Sequence, residues 1–354
     1  MTDTLRKYFP DIRSRNEVMA DIQQKKELLH QFQSWTKEQQ DEFLDFCCGA
    51  RGVKILYDSF FKEIMNPENT PERLNGLLSL LLGRSVKILH VLPNDSSRIA
   101  DESSLLVMDI LVELEDKSLA NVEVQKIGYA FPGPRCACYS ADLLLRQYKR
   151  IRGEKGKKFS YRDIKSVYTI IFYEKSLPEF RCYPDTYLHF FEQSSNTGLH
   201  MELLQKYLFI PLDIFRKNMH NIGIQTELEA WLAFLSSDDP ADIIAVITRF
   251  PEFKPLYDDI YTLCRNTEKV MGMFSKELLE LDRNTVQYMI DEMQEEIDRA
   301  KEEIDRAKEE MIQKDEQLFQ KENQLIQKNE QLEESNRLYR DALKRIEELE
   351  KKLS

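Results

Sequence analysis

Hydrophobic and polar residues alternate along two neighbouring stretches in the middle of the chain, residues 105–115 (LLVMDILVELE) and 119–124 (LANVEV). Successive side chains of a β-strand point to opposite faces. The pattern therefore predicts two strands that pair as a hairpin across the DKS turn between them. One face of this hairpin is expected to be apolar, and the other to carry Asp109, Glu123 and Gln125.

Two carboxylates and an amide on one face are the ligands that a hard divalent cation such as Mg²⁺ prefers. A half-buried antiparallel hairpin also alternates apolar and polar residues when no metal is present. The pattern alone leaves both interpretations open.

Helical spacing of apolar residues predicts a helix over residues 25–46. A second helix is expected over residues 71–82, with Thr70 as its N-cap, Pro71 as its first residue and Gly83 at its end. Residues 86–92 are compatible with a strand or an extended connector.

Gly133 and Pro134 are expected to break the chain before a helix over residues 135–150. The β-branched and aromatic run at residues 167–173 (VYTIIFY) predicts a buried central strand. The resulting order indicates an α/β fold, a mixed sheet flanked by helices.

The segment after residue 186 carries weaker patterns. Possible strands lie at 187–191 and 207–211, and helices are expected at 227–235, at 239–250 with Asp239 as N-cap, and at 253–269.

The C-terminal segment has a heptad repeat without proline or glycine. Every seventh residue from Ile290 is apolar, which predicts a long helix reaching about 95 Å. The column three residues later is poor, with three lysines in succession. A coiled coil and a single helix held by charged pairs both remain open. The apolar column is Ile290, Ile297, Ile304, Met311, Leu318, Leu325, Leu332, Tyr339, Ile346 and Leu353.

Charge is unevenly distributed. The net charge of −12 includes −7 from residues 291–354, so overall acidity says little about what the rest of the chain binds. Residues 146–165 instead carry nine basic and two acidic side chains. Such a cluster is the footprint expected for contact with a phosphate backbone, although a solvated lysine-rich loop would show the same composition.

The N-terminus lacks the apolar core of a targeting signal, and no apolar stretch is long enough to span a bilayer. The six cysteines have no spacing typical of a zinc site. We expect reduced thiols and a cytoplasmic protein.

Three motifs together resemble the PD-(D/E)XK nuclease superfamily, and more narrowly its transposase-associated, recombination-promoting branch. They are Asp109 on one strand, Glu123 and Gln125 on the next, and Arg135 with Tyr139 on the following helix. Residues 57–62 (YDSFFK) and 161–173 also resemble segments of that family. The resemblance covers about residues 50–175, with 275 as the alternative end.

This resemblance implies a restriction-endonuclease-like fold and a Mg²⁺-dependent phosphodiesterase that acts on DNA. It implies that Asp109 and Glu123 hold the metal, and that Gln125 occupies the place of the superfamily's usual lysine. An amide can orient water or phosphate but brings no positive charge. Glu72 is the candidate for the superfamily's first-helix acid, with Glu68 and Asp58 as rivals.

The resemblance also places DNA contacts on the helix that follows the hairpin and on the basic segment. Tyr139 is expected to pack or form a hydrogen bond beside the site, and Glu123 could instead form a plain salt bridge with Arg135. Residues expected to contact or flank DNA are Arg135, Tyr139, Arg146, Lys149, Arg150 and Arg152.

We therefore expect three parts: an N-terminal helical segment (1–50), a nuclease-like domain (51–275) and a long heptad helix (276–354), whose residues 290–354 are expected to make a homo-oligomer. Two functions stay open. The first is a Mg²⁺-dependent DNA endonuclease linked to transposition, recombination or other mobile-element biology. The second is a catalytically weak or inactive nuclease-fold module that binds DNA or assembles through its coiled coil.

Overall fold

The computed structural model describes residues 5–92, 110–125 and 132–353. Short 3₁₀ turns join several of the elements. The strands are β1 (Ile88–Val91), β2 (Ile110–Leu114), β3 (Leu119–Gln125), β4 (Val167–Tyr173), β5 (His189–Phe191) and β6 (Gln205–Pro211). The helices are α1 (Arg15–Gln24), α2 (Lys26–Ser34), α3 (Lys37–Cys47), α4 (Asp58–Ile64), α5 (Pro71–Leu82), α6 (Pro132–Lys155), α7 (Leu212–Ile222), α8 (Glu227–Ser236), α9 (Pro240–Arg249), α10 (Lys254–Cys264) and α11 (Thr267–Leu353).

Within these ranges the strands form one six-stranded mixed sheet in the order β1-β2-β3-β4-β6-β5. β1, β2 and β3 are antiparallel neighbours, β3, β4 and β6 run parallel, and β5 is antiparallel to β6. The predicted hairpin is confirmed: Ile110 pairs with Val122 and Glu113 with Leu119. α6 provides the crossover that joins the parallel strands β3 and β4. The predicted α/β architecture is therefore correct.

The two faces of the sheet are covered by different helices. Val112 and Val122 point into the main hydrophobic core, which also includes side chains of α5 and of α7 to α10. Leu111 and Leu119 point the other way and pack with Leu143 of α6. Because side chains alternate along a strand, each residue of β2 and β3 can be assigned to one of these faces.

Helix boundaries differ from the sequence predictions at three places. The single helix expected over residues 253–269 is wrong: α10 ends at Cys264 and α11 begins at Thr267, because Asn266 between them accepts a hydrogen bond from Lys269 N at 3.1 Å and caps α11. The single helix expected over residues 25–46 is wrong: α2 ends at Ser34 and α3 begins at Lys37. Thr36 lies between them and accepts a hydrogen bond from Gln39 N, which caps α3 and stops α2 from continuing. α6 begins at Pro132, so Gly133 and Pro134 lie in its first turn, where a proline costs no helical hydrogen bond.

α5 and its C-terminal stop are as predicted. The helix runs from Pro71 to Leu82, and Gly83 adopts a left-handed backbone with φ of 62°. Thr70 precedes the helix, but its hydroxyl donates to Asn66 O (3.3 Å) and does not cap the helix.

Residues of the predicted N-terminal segment pack into the same core as the sheet-covering helices. The ring of Phe9 lies 5.0 Å from that of Tyr261, and the ring of Trp35 lies 5.1 Å from that of Phe274. Helices far apart in the chain thus bury one shared aromatic cluster.

The long C-terminal helix is confirmed. By internal contacts the chain divides into two units, Met1–Tyr288 and Met289–Ser354. Within the second unit, the side chains of the apolar heptad column from Ile290 to Ile346 are each about half exposed or more. A single helix therefore leaves this column in solvent.

Candidate active site

Asn121, Glu123 and Gln125 form a row of polar side chains on the α6-facing side of β3. They share this face with Leu119, which packs against Leu143 of α6. All three are buried, with 0%, 4% and 2% of their surface exposed. Burial of a carboxylate lowers stability unless charge or hydrogen bonds compensate it. Glu123 therefore requires a cation or hydrogen-bond donors beside it.

Glu123 and Gln125 contact each other directly. Gln125 Nε2 donates to Glu123 Oε1 over 3.1 Å. The backbone of Gln125 is fixed as well, because its carbonyl accepts from Glu174 N at 2.8 Å. Gln125 Oε1 has no hydrogen-bond partner among the described residues. The amide thus orients the carboxylate and leaves an oxygen available for water or a cation.

Buried polar groups continue from this pair along the sheet. Asn121 lies beside Thr169 of β4 in the parallel register, and both are fully buried. Within the described ranges, neither polar atom of the Asn121 side chain nor Thr169 Oγ1 has a hydrogen-bond partner. Such groups in folded proteins are normally satisfied by ordered water or ions. Sequence analysis did not single out these two residues: Asn121 alternates with the apolar residues of β3, whereas Thr169 stands between Val167 and Ile171 on an apolar face of β4.

Asp109, the second predicted metal ligand, lies outside the described residues. Glu113 of β2 is described, and it shares the α6-facing side of that strand with Leu111. Only 2% of its surface is exposed. By the same alternation, Glu113 belongs to the strand face predicted for Asp109. Glu113 was not among the site residues predicted from the sequence.

Glu113 is held by two cations. Lys117 Nζ donates to its Oε1 at 2.9 Å, and Arg150 of α6 forms an ion pair with its Oε2. Burial would raise the pKa of Glu113, but the hydrogen bond from Lys117 and the charge of Arg150 outweigh it and hold that pKa below its usual value. Glu113 therefore stays ionised and fixes α6 to the hairpin.

The predicted DNA-contacting residues on α6 occupy different environments. Tyr139 has no exposed surface and lies within the interface between α6 and the sheet. Arg146 is partly exposed, and its Nε lies 2.7 Å from the buried Asp142 carboxylate. Arg150 is partly exposed and bonded to Glu113. The side chain of Arg135 lies outside the described part of the helix.

Lys149 and Arg152 lie on the outer surface of α6 and are exposed. Neither forms an ion pair with another described residue. The structure thus separates the predicted basic residues into two structural cations, Arg146 and Arg150, and two that face solvent.

Glu72 lies in the first turn of α5 and is exposed. α5 packs through Leu74 and Leu78 into the main core, on the face of the sheet opposite to α6. No contact among the described residues joins Glu72 to Glu123. Of its rivals, Glu68 is exposed and Asp58 pairs with Lys62 at 2.7 Å.

The donor set around Glu123 fits a hard divalent cation. Its described members are oxygens, the Glu123 carboxylate and Gln125 Oε1, which suit Mg²⁺ better than a softer metal. The described residues alone contain no group of three His, Cys, Asp or Glu side chains arranged to hold a metal.

No helix within the described ranges has both the length and the apolar character required to cross a membrane.

Comparison with known protein families gives one match that covers most of the chain. Residues 55–292 match the family model described as PD-(D/E)XK nuclease family transposase. This range contains α5, the hairpin, α6 and β4, and with them all the candidate site residues. Comparisons with curated proteins and with solved structures gave no significant match. Because the family model matches more than half of the chain, the chain belongs to the PD-(D/E)XK nuclease family transposases.

Proposed function

We propose that this protein is a Mg²⁺-dependent endodeoxyribonuclease that hydrolyses phosphodiester bonds in transposition, recombination or related mobile-element processes. The observation that carries the proposal is the buried, hydrogen-bonded Glu123–Gln125 pair on β3, covered by α6, in a chain of this family. A protein that only binds DNA has no need for a buried carboxylate at this position.

Asp109 and Glu123 are the proposed metal ligands. Asp109 directly precedes Ile110, which pairs with Val122, the neighbour of Glu123. When bound, Mg²⁺ would supply activation of a water nucleophile and neutralisation of charge on the phosphate. Gln125 fixes Glu123 through Nε2 and offers Oε1 to orient water or a phosphate group. The proposed additional acid is Glu72 in the first turn of α5; the structure does not bring it next to Glu123, because α5 covers the other face of the sheet.

DNA would lie along the basic side of α6. Lys149 and Arg152 are exposed and suited to phosphate contact. Arg146 and Arg150 are partly exposed, so they can offer their remaining N–H groups to phosphate while bound to Asp142 and Glu113. Arg135 is the proposed phosphate contact nearest the start of the helix, and Tyr139 would shape the site from within.

A second candidate function is a nuclease-fold module that binds DNA or assembles without efficient cleavage. The specific observation in its favour is Gln125 itself, because its amide brings no positive charge to the transition state. In such a protein, the lysine and arginine side chains of α6 would still contact DNA phosphates.

Plasmid cleavage by the purified full-length protein tests the enzymatic proposal. We expect conversion of supercoiled plasmid to nicked or linear DNA with Mg²⁺ and none with EDTA, because a metal is needed to activate water. Salt-sensitive DNA binding without any cleavage, in Mg²⁺ or Mn²⁺, would contradict the enzyme and favour the binding module.

We also propose that the heptad helix assembles the protein into a homo-oligomer. Burying the exposed apolar column between helices stabilises association. Sedimentation of wild-type protein should give a mass of at least two chains, whereas Leu318→Lys should shift it toward one chain. Gln320→Lys, an equal charge change at a polar position, is the matched control. A monomeric wild type at micromolar concentration would contradict this assembly.

A further inference from the structure

Three aromatic rings cluster where α6 ends and the chain turns toward β4. The rings of Tyr148 and Tyr161 are stacked with 6.1 Å between centroids and 11° between planes. Phe159 packs edge-on against both, at 5.5 Å and 5.3 Å. We refer to Tyr148, Phe159 and Tyr161 as the aromatic platform.

The platform is exposed and yet held in place. Tyr161 has 73% of its surface exposed. Ser160 and Asp163 form a capping box around Tyr161, in which Ser160 N donates to Asp163 Oδ2 at 2.9 Å. Lys155 Nζ donates to Asp163 Oδ1 at 2.6 Å and ties this turn to α6. The face of Tyr161 is thus presented to solvent by an ordered turn.

Positive charge surrounds the platform. The guanidinium of Arg152 lies over the ring of Tyr148, 5.5 Å from its centroid. The segment carries a net charge of +7 over residues 146–165. The basic residues of this segment without an ion pair to another described residue are Lys149, Arg152, Lys157, Lys158, Arg162 and Lys165.

We propose that the aromatic platform binds single-stranded DNA. An unpaired base would stack on the exposed face of Tyr161, while the surrounding lysines and arginines contact the neighbouring phosphates. Duplex DNA presents phosphates but keeps its base faces stacked inside, so the ring adds nothing to duplex binding. The inference rests on the proposed function only in taking DNA as the ligand; it requires no cleavage.

The platform lies away from the candidate active site. Tyr148 follows Tyr139 by nine residues along α6, a rise of about 13 Å. On the sheet, Glu123 is in register with Ile171, whereas the platform precedes the other end of β4 at Val167. A single strand bound there would therefore lie at a distance from Glu123 and would use Lys149 and Arg152, the exposed α6 cations already proposed as DNA contacts.

Fluorescence anisotropy in EDTA, with a labelled oligothymidine and a labelled duplex of equal length, tests the proposal on the full-length protein. Tyr161→Ala should weaken oligothymidine binding by about 5- to 150-fold, the range for loss of one base–aromatic stack. Duplex affinity should stay within about twofold of wild type. Tyr161→Phe keeps the ring and should bind oligothymidine as wild type does.

Tyr183→Ala is the matched control, because Tyr183 is 60% exposed and lies outside the basic segment. It should change neither affinity. Unchanged oligothymidine binding by Tyr161→Ala would overturn the proposal. So would an equal loss for the duplex, or tighter binding of oligouridine than of oligothymidine. Melting temperatures of all variants would show that the folded state is retained.

A second set of variants, in which charge is removed, tests the phosphate contacts separately. Replacing Lys157 and Lys158 by Gln should reduce the salt dependence of oligothymidine binding by about 1.4 in log–log slope, since each single-strand phosphate contact contributes about 0.7. An unchanged slope would remove these lysines from the site. If the protein does not cleave plasmid but Tyr161→Ala still weakens oligothymidine binding, the nuclease proposal is wrong and the platform proposal holds. If the protein cleaves plasmid but Tyr161→Ala binds oligothymidine as wild type does, only the platform proposal is wrong.

Discussion

Glu123→Gln is expected to reduce Mg²⁺-dependent plasmid cleavage by at least about 100-fold, and Asp109→Asn by a similar factor. The Glu123 side chain is 4% exposed and receives a hydrogen bond from Gln125, so an amide of the same size can occupy its place. It would remove the negative charge that a divalent cation requires. DNA binding in EDTA should not weaken, because a carboxylate repels phosphate and its neutralisation removes no attractive contact.

The measurement is the rate of supercoiled plasmid loss over a range of Mg²⁺ concentrations. Glu252→Gln, an exposed glutamate outside the site, serves as the control and should cleave at the wild-type rate. Cleavage by Glu123→Gln within about tenfold of wild type would show that Glu123 is not a metal ligand. Normal melting of the variant would exclude misfolding as the cause of a loss.

Phe274→Ala is expected to lower the free energy of unfolding by about 3–5 kcal/mol, the range for removing a buried aromatic side chain. Phe274 is fully buried, and its ring lies 5.1 Å from Trp35, 5.8 Å from Phe43 and 5.6 Å from Phe46. The truncation would therefore leave a cavity between the N-terminal helices and the start of α11. Partial collapse of that cavity would give a value near the lower limit.

Urea denaturation followed by tryptophan fluorescence would measure this loss, because Trp35 adjoins the cavity while the heptad segment contains no tryptophan. Phe190→Ala, at a position 61% exposed, is the control and should change stability by less than about 0.5 kcal/mol. A change below 1 kcal/mol for Phe274→Ala would mean that the N-terminal helices do not share one cooperative core with it.

Local patterns were sufficient for much of the fold. The alternation within residues 105–115 and 119–124 predicts the hairpin, and the run from Val167 to Tyr173 predicts β4, because strand periodicity is imposed by the backbone itself. Pro71 and Gly83 set the limits of α5 for equally local reasons. The helix predicted across residues 25–46 failed because Thr36 can cap α3 or lie inside a longer helix, and composition does not distinguish the two.

Sequence by itself also determined the family motifs, the adjacency of Glu123 and Gln125 on one face of a strand, and the basic character of residues 146–165. Only the tertiary structure decided which cations of that segment are used internally. Arg150 is bonded to Glu113, 37 residues earlier, whereas Lys149, its immediate neighbour, faces solvent. The meeting of Tyr148 with Tyr161 was likewise decided by the turn between α6 and β4. Periodicity fixes the direction of a side chain relative to its own element, but partners distant in the chain are set by how the elements pack.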